Sequence, residues 1–284
     1  MSSSPTRRIA EDLDKFVLYS AAVQSTDVDL DFFERVYRKL RGERFRTLRE
    51  DFCGTAALAC EWVRRKRHNR AWGVDLDETT LEWGRRTYVS RLGTAASRLT
   101  LLRGDVLEIQ TPRVDVVCAL NFSYCVFKRR NELRSYLEAT RRRLRPGGLL
   151  FLDAYGGTGA ICPDTERRRI APCAAFDGTR VPGFVYVWEQ VSFNPVDHAT
   201  VCHIHFRVRQ NGRVQEMRRA FTYDWRLWTL PELREILLEA GFRDVLVYVE
   251  GWDDEANESD GVYRLRRQFE NQIGWVAYVV GVTE

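Results

Sequence analysis

Acidic residues end three predicted β-strands at points where a ligand could reach them. Glu50 ends a first run and precedes the small-residue turn Cys53–Ala56, Asp75 ends a second, and Asp105 a third. A tight loop that opens a helix offers backbone N–H groups and the positive end of the helix dipole to a polar ligand. An acid at the next strand tip can accept hydrogen bonds from ribose hydroxyls. The spacing therefore predicts one crevice for a nucleotide-like ligand.

Four runs in order resemble motifs of the class I S-adenosylmethionine-dependent methyltransferases: LREDFCGTA (48–56), GVDLD (73–77), RGDV (103–106) and LRPGGLLFLDAY (144–155). The resemblance covers residues 44–156 most strongly. It implies S-adenosylmethionine as cofactor and direct in-line methyl transfer to nitrogen or oxygen of a small molecule. It also implies that Glu50 and the loop hold the amino acid part of the cofactor. Asp75 would hold the ribose, and Asp105 with Val106 the adenine. The predicted cofactor-binding set is Tyr19, Glu50, Phe52, Cys53, Gly54, Thr55, Ala56, Asp75, Leu76, Gly104, Asp105, Val106 and Asn121.

The first loop departs from the family at two positions. Phe52 and Ala56 stand where the family commonly has glycines. A Cβ narrows the backbone conformations available, so we expect Gly54 and Thr55 to carry more of the cofactor contact. The departure leaves open a non-catalytic binding or regulatory protein with the same fold. A nicotinamide dehydrogenase is disfavoured, because the loop contains no GxGxxG.

Composition is that of an ordinary globular protein, with 284 residues, 44% hydrophobic and 30% charged. No apolar run reaches the roughly 18 residues of a membrane span, and residues 1–10 lack a signal-peptide core. We therefore expect a cytoplasmic protein without membrane contact. Seven cysteines show no metal-ligand spacing, so neither a metal nor a disulfide is expected.

The charge pattern gives little support for a nucleic-acid substrate. Net charge is +4, and the 44 basic residues include only four lysines. Arginine clusters at 64–67 and 141–145 fall in predicted last turns of helices, where cations suit the dipole. Residues 121–124 read Asn-Phe-Ser-Tyr, without the prolines of the Asn-Pro-Pro-Tyr tetrad of nucleic-acid amino methyltransferases. RNA or DNA methylation is thus the second reading, and a small-molecule acceptor the first.

Strand and helix patterns alternate along most of the chain. They predict a doubly wound, seven-stranded, mostly parallel Rossmann-like sheet built from residues 44–156 and 229–284. Residues 1–43 predict a helical lid carrying Tyr19, and residues 157–228 an antiparallel insert after the fifth strand. The acidic stretch 252–271 is interpreted as an excursion between the last two strands.

The acceptor should lie beyond the carboxyl ends of the strands. There Asp153 and Tyr155 of the fifth strand are candidate catalytic residues, together with His203 and His205 of the insert if they face the site. A solvated strand face is the alternative for the two histidines. Candidate acceptor contacts are Tyr124, Trp188, Gln190, Tyr223 and Trp225. The insert resembles that of small-molecule N-methyltransferases, where it shapes the pocket and often the oligomer contact, so a homodimer is possible.

Overall fold

A computed structural model of the protein describes residues 14–175, 178, 180–210, 212–253 and 258–284. Its α-helices are α1 (Lys15–Val23), α2 (Thr26–Arg41), α3 (Ala57–Arg65), α4 (Glu78–Thr87), α5 (Arg130–Arg143) and α6 (Leu230–Glu239). Its strands are β1 (Thr47–Asp51), β2 (Arg70–Asp75), β3 (Leu99–Arg103), β4 (Val114–Ala119), β5 (Leu144–Gly156), β6 (Asp164–Ile170), β7 (Cys173–Ala174), β8 (Arg180–Val181), β9 (Phe184–Phe193), β10 (Ala199–Gln210), β11 (Arg213–Arg226), β12 (Asp244–Asp253), β13 (Glu258–Leu265) and β14 (Trp275–Val282). In this part of the chain no helix is both long and apolar enough to cross a membrane.

The large sheet has the strand order β13-β12-β14-β5-β4-β1-β2-β3. Strands β1 to β5 run parallel, and β14 lies antiparallel between β5 and β12. This confirms the predicted doubly wound, mostly parallel sheet. The predicted count of seven strands is wrong, because the described chain adds β13 at the edge beside β12. Because residues 252–271 are rich in acidic side chains, their pattern predicted an excursion in place of this edge strand.

Helices pack on both faces of the sheet, because successive apolar side chains of β5 point to opposite faces. Phe151 packs on the side of α2 and α3, in one core with Phe33 and Trp62. Leu150 and Leu152 pack on the side of α5 and α6. The carboxyl ends of β1, β2, β4 and β5 lie at one edge of the sheet, because these strands are parallel.

The insert is a four-stranded antiparallel sheet in the order β11-β10-β9-β6. The predicted strands β9, β10 and β11 are present, whereas β6 was missed because its sequence, DTERRRI, is almost wholly polar. Cys202, Ile204 and Phe206 share the face of β10 that is buried. That face packs against Leu18 of α1.

Helix α1 joins the insert to the main domain. Tyr19 packs on Phe221 of β11, with ring centroids 4.9 Å apart. On the other side, Phe16 packs on Trp83 of α4. The helix therefore spans the gap between α4 and the insert, beside the strand tips. Residues 1–13 of the predicted lid lie outside the described residues.

Candidate active site

The β1–α3 loop adopts left-handed backbone conformations at three positions, Phe52 (φ 55°), Gly54 (φ 54°) and Ala56 (φ 58°). A non-glycine residue in this region costs roughly 1–2 kcal/mol. Packing offsets that strain, since Ala56 is fully buried and the Phe52 ring packs on Tyr136 and Phe127. The loop thus keeps the left-handed backbone conformations that are typical of glycine, although two of its expected glycines are replaced.

Neighbouring glycines make room for this loop. A Cβ on Gly84 of α4 would lie 2.2 Å from the Thr55 carbonyl oxygen, and one on Gly73 of β2 would lie 2.9 Å from the Cys53 sulfur. Backbone and side chain of the loop therefore press directly on α4 and β2. Gly73 and Gly84 can be read from the sequence, but a glycine within a strand or helix pattern does not by itself show which neighbouring group packs against it.

Two carboxylates frame the loop. Glu50 accepts a hydrogen bond from the Ala59 backbone N–H (2.9 Å), and burial raises the pKa of Glu50 to about 8. Asp75 accepts hydrogen bonds from the N–H groups of Gly54 (2.7 Å) and Asp77 (2.9 Å). Burial raises the pKa of Asp75 as well. The acid predicted for ribose therefore lies directly beside the loop, as its spacing indicates.

The third strand tip is more open. The exposed Asp105 accepts a hydrogen bond from the Leu107 N–H (2.8 Å), and Leu76 beyond Asp75 is 71% exposed. Gly104 has φ 155° and packs against Ile109. Val106 is buried in the core at this tip, and its contact with an adenine stays a prediction.

At the tips of β4 and β5, Asp153 holds a strained turn. Its two oxygens accept hydrogen bonds from the N–H groups of Asn121 (2.7 Å) and Phe122 (2.9 Å), both of which have positive φ. Burial raises the pKa of Asp153 to about 7. The adjacent Tyr155 packs on Phe122 at 4.7 Å, and its buried hydroxyl has no partner among the described residues. Asp153 thus serves first to fix the turn that Asn121 and Phe122 form.

Aromatic side chains of the insert cover these tips. Tyr223 stacks on Trp225 at 4.2 Å, Trp188 lies 5.9 Å from Tyr223, and Trp225 meets Phe122 at 6.4 Å. Tyr19 of α1 shares a side-chain hydrogen bond with Tyr223. Tyr19, Trp188, Tyr223 and Trp225, which the sequence assigned to the site, therefore converge above β4 and β5.

Other predicted site residues are placed elsewhere. The amide of Gln190 donates to the carbonyls of Ala160 (2.8 Å) and Cys162 (3.0 Å), which makes it a tie for that loop. Tyr124 is fully buried after the tip of β4, and its contact with an acceptor stays a prediction.

The two histidines lie on the face of β10 opposite the aromatic cluster. His203 contacts Thr222 at 3.0 Å, and His205 pairs with Glu189 at 2.9 Å. Side chains alternate along a strand, and Ile204 takes the face shared with Trp188. The condition that His203 and His205 face the site is therefore not met in this structure, which places them on the other face of β10.

Carboxylates without cationic partners converge at this edge. Within the described ranges, Asp29, Glu50, Asp75 and Asp153 form no ion pair with lysine, arginine or histidine. Of these, Glu50 lies within electrostatic range of Asp75 and Asp29, and Asp153 within range of Asp29. In a chain with a net charge of +4, unpaired and desolvated acids in one place are suited to a cationic ligand.

Comparison with known proteins gives the class. Residues 53–150 match the family model of a methyltransferase domain. The whole fold is similar to DesVI from Streptomyces venezuelae, with a TM-score of 0.67 and 17% identity over 96% of this chain and 100% of that one. It is also similar to the S-adenosylmethionine-bound amino pentose methyltransferase CalS10 from Micromonospora echinaspora (TM-score 0.64, 17% identity, 94% and 98% covered). A third similar structure is the sugar N-methyltransferase KedS8 from a Streptoalloteichus species (TM-score 0.63, 18% identity, 100% and 99% covered).

No curated protein sequence matches the chain. Identities this low establish a shared fold, while the family model identifies the domain. Residues 53–150 therefore match a methyltransferase domain, and the whole chain shares the fold of these three structures.

Proposed function

We propose that this protein transfers the methyl group of S-adenosylmethionine to an amino nitrogen of a small polar molecule such as an amino sugar. The observation that carries the proposal is the group of unpaired carboxylates at the strand tips, because both the donor and a protonated amine bring positive charge. The similar amino pentose and sugar N-methyltransferase structures support it.

The residues present fit the donor. The Glu50 carboxylate suits its ammonium group, the loop N–H groups its carboxylate, and Asp75 its ribose hydroxyls, while the exposed Leu76 offers an apolar surface next to that acid. When bound, the donor supplies a methyl group activated on a positively charged sulfur. Positioning and electrostatics are then the protein's contribution.

The insert and the β4–β5 tips would hold the acceptor. Trp188, Tyr223 and Trp225 form an apolar cover over the turn fixed by Asp153, so water is displaced from the space between them. A dry site strengthens the attraction between the carboxylates and a cation. The acceptor nitrogen would be oriented between this cover and the turn.

The arginine clusters favour a small molecule over nucleic acid. Arg65 is within ion-pair distance of Asp31 (2.5 Å) and Asp27 (3.2 Å), Arg143 is buried, and Arg145 pairs with Asp115 at 2.9 Å. Few of these charges remain for a phosphate backbone. A steep salt dependence of RNA binding would argue for the alternative.

The test is methyl-labelled S-adenosylmethionine incubated with the protein and with paired sugars that differ in carrying an amino or a hydroxyl group. We expect mass spectrometry to find label on the amino compounds alone. Calorimetry with S-adenosylmethionine and S-adenosylhomocysteine measures cofactor binding separately. A chain that binds neither compound, or that labels only hydroxyl groups, would contradict the proposal.

A further inference from the structure

Asp29 occupies an unexpected position for an acid near the start of a surface helix. It belongs to the first two turns of α2, where Asp27 and Asp31 also lie. Those two acids are 73% exposed and pair with Arg65. Asp29 is turned inward instead and accepts a hydrogen bond from the Tyr278 hydroxyl of β14. Charge complementarity with the helix dipole explains acids in this turn, but not the burial of one of them.

The surroundings of Asp29 belong to the candidate active site. Tyr278 is the direct neighbour of Asp153 in the pairing of β14 with β5, and the Tyr263 ring of β13 packs on Tyr278 at 4.6 Å. Asp29 is close enough to Glu50 and Asp153 to raise the pKa of each. The carboxylate therefore lies near Asp153 at the tip of β5, on the β14 side of that strand.

Asp29, like Glu50, keeps one carboxylate oxygen without a hydrogen bond in the part of the chain that the structure describes. Asp153 uses both oxygens to hold the turn at Asn121. Asp29 accepts from Tyr278 through Oδ1, and Oδ2 has no hydrogen bond in the described ranges. Asp29 is part-buried, and its Oδ2 is not among the fully buried oxygens without a partner, so a donor group that enters the crevice can reach it.

We propose that Asp29, oriented by Tyr278, binds the acceptor's protonated amine and removes its proton before methyl transfer. This inference rests on the proposed N-methylation and assigns a specific residue to it. An ammonium has no lone pair, so it cannot attack the methyl carbon until it is deprotonated.

The chemistry balances without a further reactant. One proton moves from the ammonium nitrogen to Oδ2 of Asp29, which leaves a neutral amine and a carboxylic acid. The nitrogen lone pair forms the new bond to the methyl carbon, and the carbon–sulfur bond breaks with its electron pair remaining on sulfur. The product is a methylammonium and neutral S-adenosylhomocysteine. Burial raises the pKa of Asp29 to about 6, which brings it nearer to working pH than that of an exposed acid.

The test compares Asp29→Asn with Asp27→Asn. Asp27→Asn is a matched control, because it removes the same charge two residues earlier in α2, on the exposed face of the helix. Asp29→Glu asks whether a carboxylate alone restores activity, and Tyr278→Phe removes the orienting hydroxyl. Each variant is assayed for S-adenosylmethionine affinity by calorimetry and for methyl transfer to an amino sugar panel and the matching hydroxyl sugars.

We expect Asp29→Asn to lower kcat/KM for amino sugars by about 100-fold or more, the range of a general base. Asp27→Asn should stay within about twofold of the wild type, with Tyr278→Phe intermediate and Asp29→Glu partly active. Cofactor affinity should change far less than kcat/KM in all four variants, and retained binding also shows that they fold.

Three outcomes would overturn the role of Asp29. One is an Asp29→Asn variant that methylates amino sugars within about threefold of the wild type, and another is a fall in cofactor affinity that matches its loss of kcat/KM. In both cases the proposed N-methylation survives. If instead the wild type methylates hydroxyl sugars and no amine of the panel, the proposed nitrogen chemistry and the role of Asp29 fall together.

Discussion

Asp75 has two tasks at the tip of β2. It holds the loop by accepting the Gly54 N–H, and in the proposed function it also accepts hydrogen bonds from the ribose of the cofactor. Both tasks need a carboxylate at this position, so its loss should be felt more in binding than in folding, since the core below does not depend on it.

We predict that Asp75→Ala weakens S-adenosylmethionine binding by roughly 10- to 100-fold, because hydrogen bonds to a charged group contribute about 1.5–3 kcal/mol. Calorimetry measures the affinity. Asp77→Ala is the control, since Asp77 caps α4 through the Thr79 N–H (2.9 Å) and should change stability by about 1 kcal/mol while sparing the cofactor. Unchanged binding in Asp75→Ala would refute the assignment.

Individual residues were predictable where a local pattern fixes their position. Glu50 and Asp75 were found because the distance along the chain from strand end to strand end is nearly constant in this fold. Asp29 was missed because nothing in its helix distinguishes it from Asp27 and Asp31. Only the meeting of α2 with β14 turns it inward, and sequence periodicity does not report such a contact.

At the scale of elements, the β1–α3 loop keeps its backbone geometry although it departs from the expected glycine pattern. The left-handed conformation of Ala56 is an intrinsic penalty, which the packing of its methyl group partly offsets. A glycine there would remove the strain but would also lose the buried methyl and gain unfolded-state entropy.

We predict that Ala56→Gly changes the free energy of unfolding by less than about 1 kcal/mol, because relief of roughly 1–2 kcal/mol of strain balances those two losses. Ala59→Gly is the control. Ala59 is equally buried but lies in the interior of α3, so the same substitution should cost about 2 kcal/mol there. Urea denaturation of both variants measures the difference, and equal destabilisation would contradict the conformational argument.

Edge strands were the elements that sequence reasoning failed to find. Both β6 and β13 lie at a sheet edge and are rich in charged residues, which natural sheets use to prevent further pairing. Because of the same charged residues, these strands lack the alternation of apolar and polar residues by which a strand is recognised in a sequence. Central strands such as β4 are buried on both faces, so their continuous apolar sequence identified them.

At the scale of the molecule, the insert has two unlike faces. Its inner face carries the aromatic cluster, and its outer face carries His203, His205 and their polar partners. From sequence the two faces could be separated by alternation, but which one met the domain depended on how α1 and the strand tips docked.

We predict that the double substitution His203→Ala and His205→Ala leaves kcat/KM for the acceptor within about twofold, because neither side chain faces the strand tips. Trp225→Ala is the contrasting variant, and it should lower kcat/KM at least tenfold by opening the cover over Phe122. Steady-state kinetics with labelled cofactor measure both. A large loss in the histidine variant alone would return those residues to the active site.

The shared electrostatics of the crevice contribute a distinct part of the protein's response to pH. The folded-state pKa values of Glu50, Asp153 and Asp29, about 8, 7 and 6, all lie above their ordinary values near 4. At these three sites the folded state holds protons that the unfolded state releases, so their contribution to stability is largest on the acidic side and falls as pH rises from about 4 to 8.

We predict that the unfolding temperature of the ligand-free protein falls between pH 5 and pH 8.5, and that Glu50→Gln flattens the decline because its amide cannot ionise. A cationic ligand favours the ionised carboxylates, so S-adenosylmethionine should release protons on binding and stabilise the protein most at the alkaline end. Thermal unfolding across this pH range, with and without cofactor, measures both effects. Stability that instead rises toward pH 8.5 without ligand would show that the crevice acids are already ionised and compensated in the folded protein.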